Sequence, residues 1–89
     1  MKIELYSFPK CEEARMIREF LEKNNFPFRE IDATEINAKR ELHKLTFGRN
    51  ISTIKITRNH SINAMIGFNE LFLKQEVLEH IKKYNPKLT

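Results

Sequence analysis

The sequence predicts one α/β domain: a four-stranded mixed sheet flanked by three helices, in the order β-α-β-α-β-β-α. Three observations carry this. Apolar residues alternate in four short segments, and they recur at three- and four-residue spacing in three others. A strand, a helix and a second strand open the chain, an order that implies parallel pairing through a right-handed crossover. Eighty-nine residues suit a single core, so the domain is expected to span 1–89.

Lys2 to Ser7 sets Ile3 and Leu5 among polar residues and stops before Pro9, which reads as a first strand with Tyr6 as a packing or surface aromatic rather than a proton donor. From Glu12, Ile17, Phe20 and Leu21 form one helical face, and Glu13, Arg15, Arg18, Glu19 and Glu22 form the other; Asn24-Asn25 ends the run. Phe26 to Ile31, followed by Asp32, alternates as a second strand. Thr34 or Asp32 caps a second helix with a sparse stripe of Ile36, Leu42 and Leu45 and a stop at Gly48. Ile51–Thr57 and His60–Ile66 alternate on either side of Arg58-Asn59, which predicts a β-hairpin. Asn69 caps a last helix with Glu70 in its first turn and Leu73, Val77 and Ile81 on one face, up to Pro86.

Composition narrows the function classes. Hydrophobic residues make up 40% and charged residues 31%, with 2 Gly and 3 Pro, which is globular rather than low-complexity. No apolar run approaches the roughly 20 residues of a membrane-spanning helix, and the acidic Glu4 near the start predicts no secretion signal. The 16 basic and 12 acidic residues are intermingled and lack aromatic interleaving, so no nucleic-acid partner is expected despite a net charge of +4. His43, His60 and His80 fall in separate elements and cannot pair at helical spacing, so no metal is expected. A single cysteine excludes an intramolecular disulfide and fits a reducing, cytoplasmic setting.

That cysteine, Cys11, falls at the junction of the first strand and first helix, where unpaired backbone N–H groups and the helix dipole favour a thiolate. Lys10 adds a neighbouring cation, and Arg15, one turn on, is placed to shield the sulfur if its side chain folds back. Glu12 and Glu13 oppose a second negative charge there and are read as first-turn helix charges rather than acid–base catalysts.

With these residues in view, the chain resembles the glutaredoxins. Tyr6-Ser7-Phe8-Pro9-Lys10-Cys11 is similar to the segment before the redox cysteine, which in that family usually includes a Gly. Leu21 through Asp32, Arg40 through Gly48 and Ile66-Gly67-Phe68-Asn69-Glu70-Leu71 resemble the later elements in the same order. The resemblance implies the thioredoxin fold, Cys11 as the catalytic thiol, and glutathione contacts at Lys10, Ile51, Ser52, Gly67, Phe68 and Asn69. It also implies glutathione, or another low-molecular-weight thiol, as co-substrate, with a protein disulfide as partner. The expected assembly is a monomer, with a Cys11-linked dimer as the alternative.

Three departures shape that expectation. The motif is Cys11-Glu12-Glu13-Ala14, with no resolving thiol. Ser52 stands where the family has a cis-proline, and a non-proline cis bond costs about 2.5–4 kcal/mol, so Ser52 is expected to be trans. Phe8 and Asn69 replace a Lys and an acid among the family's polar anchors. The function these features point to is monothiol exchange on glutathione mixed disulfides. The alternative is a non-enzymatic thioredoxin-fold module that binds a partner or senses redox state.

Overall fold

The computed structural model describes residues 1–76. Within them the chain forms β1 (Lys2–Ser7), α1 (Glu12–Lys23), β2 (Arg29–Asp32), α2 (Ile36–Thr46), β3 (Thr53–Arg58) and β4 (Ser61–Ile66). Residues 70–76 form the described part of a third helix, α3. This is the β-α-β-α-β-β-α order of the thioredoxin fold. Val77, His80, Ile81 and Pro86 lie outside the described residues.

The sheet order is β2-β1-β3-β4, which puts β1 at the centre. It pairs parallel with β2, with Leu5 opposite Glu30, and antiparallel with β3, with Leu5 opposite Ile54. Side chains alternate across the pleat, so β1 serves two cores. Ile3 and Leu5 join Ile17, Leu21, Ile54, Ile56, Met65 and Leu73 on the α1 and α3 side. Tyr6 joins Ala33, Ala38 and Leu42 under α2. Tyr6 is thus a packing residue, and burial, reinforced by Glu4 and Glu41, raises its phenol above the usual value.

Five local expectations differ from the structure. The third strand runs from Thr53 to Arg58 rather than from Ile51 to Thr57, because Ser52 turns its hydroxyl to Phe8 and Cys11 ahead of the ladder. The second strand is shorter, beginning at Arg29, because Phe26 and Phe28 pack against the core cluster instead of joining the ladder. Neither Thr34 nor Asp32 caps α2. Glu35 does so through its carboxylate, which accepts from the Asn37 and Ala38 N–H groups, and Asp32 instead binds the Thr34 amide and hydroxyl. The buried face of α2 is Ala38, Leu42 and Thr46, and Ile36 is exposed because it starts the helix beyond the sheet. The hairpin turn is Asn59-His60, one residue later than expected, with Arg58 paired to Ser61.

Two helix ends fix the strand and the turn that border Cys11. Phe47 ends α2 in the left-handed region, and Gly48 then donates its N–H to the His43 carbonyl. The buried Thr46 hydroxyl accepts from the Arg49 N–H at 3.0 Å and lies 2.8 Å from the Arg49 carbonyl, fixing the approach to β3. At the start of α3 the Asn69 side chain caps the helix by accepting from the Phe72 N–H at 3.0 Å, as the sequence predicts.

The two faces of α2 make a direct test of this packing. Leu42→Ala should lower stability by about 2–5 kcal/mol through the cavity it leaves, and Ile36→Ala should stay within about 0.5 kcal/mol. Urea unfolding of both variants checks the contrast, and equal losses would contradict the assignment of the buried face.

Candidate active site

After β1 the chain turns sharply through Phe8, Pro9, Lys10 and Cys11, closed by the Cys11 N–H donating to the Phe8 carbonyl at 3.3 Å. Pro9 fixes its own φ, and Lys10 sits at φ 57°, a left-handed conformation that favours glycine. The turn delivers Cys11 to the N-cap of α1, where its carbonyl accepts from the Arg15 N–H. The sulfur does not cap the helix. It is half-buried and faces the start of β3.

Ser52 meets it there. The Ser52 side chain is fully buried, and its hydroxyl donates to Cys11 Sγ at 3.0 Å and accepts from the Phe8 N–H at 3.2 Å. No peptide bond among the described residues is cis, so Ser52 is trans as expected. One hydroxyl therefore joins the thiol, the turn before it and the strand facing it.

The Ser52 carbonyl extends the connection by accepting from the Gly67 N–H at 2.9 Å. Gly67 is at φ 75°, and a Cβ there would collide with the Glu13 carboxylate. The next amide, Phe68 N–H, donates to Glu13 Oε2 at 2.9 Å. Asn69 directs its N–H to Met65 Sδ and its side chain to the helix cap. Of the predicted site residues, Cys11 is linked to Ser52, Ser52 to Gly67 with Ile51 beside it, and Phe68 and Asn69 continue that turn, while Lys10 lines a cleft next to Cys11. Sequence reasoning missed Glu13: a glutamate early in a helix is ordinary, and only the tertiary fold brings the turn at Gly67 within its reach.

This cleft, of about 400 Å³, is lined by Ser7, Lys10, Arg15, Arg18, Glu30 and Asp32 among others. Arg15 does not fold back on the sulfur as the sequence suggested. Its guanidinium is bound by Glu12 and Glu19, an arrangement that lowers the Glu12 carboxyl and raises the Arg15 guanidinium. Arg18 binds Glu30 through both of its carboxylate oxygens, at 2.7 and 2.6 Å, and the Ser7 hydroxyl donates to the same carboxylate. These bonds, Arg18 foremost, hold Glu30 below its ordinary value of 4.5. Among the described residues, no group of three or more His, Cys, Asp or Glu is placed to hold a metal ion.

A lone thiol at the strand-to-helix junction of this sheet, facing Ser52 just before β3, is the arrangement of a thioredoxin-fold protein of the thiol-oxidoreductase-like class. Residues 3–60 match the glutaredoxin family model, and the chain belongs to the glutaredoxin family. That segment contains Lys10, Cys11, Ile51 and Ser52 and stops short of Gly67. Among solved structures the chain is similar to the thioredoxin-like protein BC3987, at 28% identity and a TM-score of 0.69 over 83% of this chain and 97% of the other. A point mutant of that protein superposes equally well over 96% of its length. No curated protein matches significantly.

The Arg18–Glu30 pair yields a pH test. A carboxylate whose folded value is depressed contributes stability that is fully present above the unfolded value and is lost as pH falls through the folded one. The stability advantage of wild type over Glu30→Gln should therefore be largest above pH 4.5 and shrink below it. Urea unfolding across this range reads the difference, and a pH-independent gap would show that the ion pair does not set it.

Proposed function

We propose that the protein is a monothiol thiol–disulfide oxidoreductase that acts through Cys11 on glutathione mixed disulfides. The family and the fold support a thiol-oxidoreductase-like function. The observation that carries the monothiol reading is the hydrogen bond from the buried Ser52 hydroxyl to the sulfur of the chain's single cysteine.

The chemistry needs one sulfur. The Cys11 thiolate attacks the glutathione sulfur of a mixed disulfide; the new Sγ–S bond forms as the old S–S bond breaks, and the protein partner leaves as a thiolate that takes up a proton. A second glutathione thiolate then attacks the same glutathione sulfur and releases Cys11. No net electron gain or loss occurs at the enzyme over the cycle, and no resolving cysteine is needed.

The Ser52 hydroxyl donates to Cys11 Sγ both before attack and when Cys11 leaves, the two moments at which its sulfur carries charge. Ser52 contacts the thiol, Gly67 is bonded to the Ser52 carbonyl with Ile51 beside it, and Phe68 and Asn69 follow in the same turn. Lys10 supplies a cation in the cleft next to Cys11. These residues are the proposed contacts for the co-substrate, glutathione or another low-molecular-weight thiol, in a reducing compartment such as the cytoplasm.

Incubating the reduced protein with oxidised glutathione should add one glutathione to wild type and none to Cys11→Ser, as read by intact mass. Added reduced glutathione should then remove the adduct. A wild-type protein that stays unmodified would overturn this reading in favour of a non-catalytic module.

A further inference from the structure

The glutamate beside the thiol is held in an unusual way. Glu13 directs its carboxylate away from its own helix to the Phe68 N–H, and its only hydrogen-bonding partner among the described residues is this neutral donor. The neighbouring acid, Glu12, is by contrast bound to the Arg15 guanidinium. The charge of Glu12 is thus compensated locally, and among the described residues that of Glu13 has no cationic partner.

A chain of contacts sets the location. Cys11 Sγ accepts from the Ser52 hydroxyl, the Ser52 carbonyl accepts from the Gly67 N–H, and Phe68 N–H returns to Glu13, two residues along from Cys11. Ile51, Ser52, Gly67, Phe68 and Asn69 are all uncharged, and the Glu70 that follows is paired with Lys74, so among the described residues Glu13 is the charge held against this turn without a cationic partner. The cleft beside Cys11 is of mixed charge, with Lys10, Arg15 and Arg18 alongside Glu12, Glu30 and Asp32, and both arginines are ion-paired there.

We propose that Glu13 is a specificity-determining residue: its carboxylate, fixed on the Phe68 amide, biases Cys11 towards disulfides that present a cationic group to that side and against those that present a carboxylate. The proposal rests on the exchange reading and deepens it by naming the substrate class. A carboxylate entering on the Gly67 side meets a like charge and must displace Glu13 from the Phe68 N–H before it can contact that residue. An ammonium finds an uncompensated acceptor. Glutathione, with its net negative charge, is then a slower co-substrate than a small aminothiol.

The test reacts the reduced full-length protein with cystamine, bis(2-hydroxyethyl) disulfide and oxidised glutathione. Each rate is divided by that of an unstructured cysteine peptide with the same reagent, which removes intrinsic reactivity. Wild type is compared with Glu13→Gln, which keeps an acceptor for the Phe68 amide but no charge, and with Glu13→Ala; circular dichroism confirms that each variant is folded. The normalised cystamine-to-glutathione ratio should fall roughly two- to fivefold in both variants, the size expected of one partly exposed charge, and the wild-type preference should weaken as salt is added. Adducts that form with the same ratio in all three proteins would overturn the role of Glu13 and leave exchange at Cys11 standing. No adduct from any of the three reagents would instead bring down the exchange reading itself, and this inference with it.

Discussion

The site depends on one buried hydroxyl. Ser52 accepts from the Phe8 N–H and donates to Cys11 Sγ, so a single side chain holds the turn that presents the thiol and touches the thiol itself. A buried hydroxyl without partners would cost about 1–3 kcal/mol, which is why this one fixes geometry rather than merely filling space. Ser52 is trans, and its hydroxyl ties the segment that leads into β3 to the sulfur by hydrogen bonding. The surrounding architecture serves the same contact, since the Thr46 hydroxyl holds Arg49 and β3 then enters the sheet beside the central strand β1.

Around that contact the acids differ in their partners. Glu12 and Glu30 are bound to arginines in a cleft that also holds Lys10 and Asp32, whereas Glu13 lies against the neutral Phe68 amide. A net charge of +4 says little about such a site, because fields at close range are set by individual groups and distant surface charges are screened. In the proposed exchange cycle the absence of a second cysteine in the motif makes an external thiol complete the reaction, so the charge of that thiol would matter twice, on arrival as a disulfide and on resolution.

Much of the architecture was legible in the sequence because it rests on periodicity. The alternation in Lys2–Ser7, the helical spacing of Ile17 and Leu21, and the Asn69 cap all correspond to what is observed. Local competition blurred the rest. Three polar residues, Asp32, Thr34 and Glu35, compete to cap α2, and the winner is the one whose carboxylate reaches two amides at once. Arg15 had an acid on either side along its helix, at Glu12 and Glu19, and these outcompete a more distant sulfur. Cys11 itself stood out through its place after a strand and before a helix. The roles of Ser52 and Glu13 did not, because each depends on partners 41 and 55 residues away in the chain.

The most direct test of the central claim is the rate at which oxidised glutathione modifies Cys11 in wild type and in Ser52→Ala, followed by rapid mixing and mass readout. A hydrogen bond to the reacting sulfur is worth about 0.5–1.5 kcal/mol, so removing the hydroxyl should slow the reaction roughly two- to tenfold while the protein stays folded. A folded Ser52→Ala protein that reacts as fast as wild type would contradict the account, because the thiol would then owe nothing to the hydroxyl it faces.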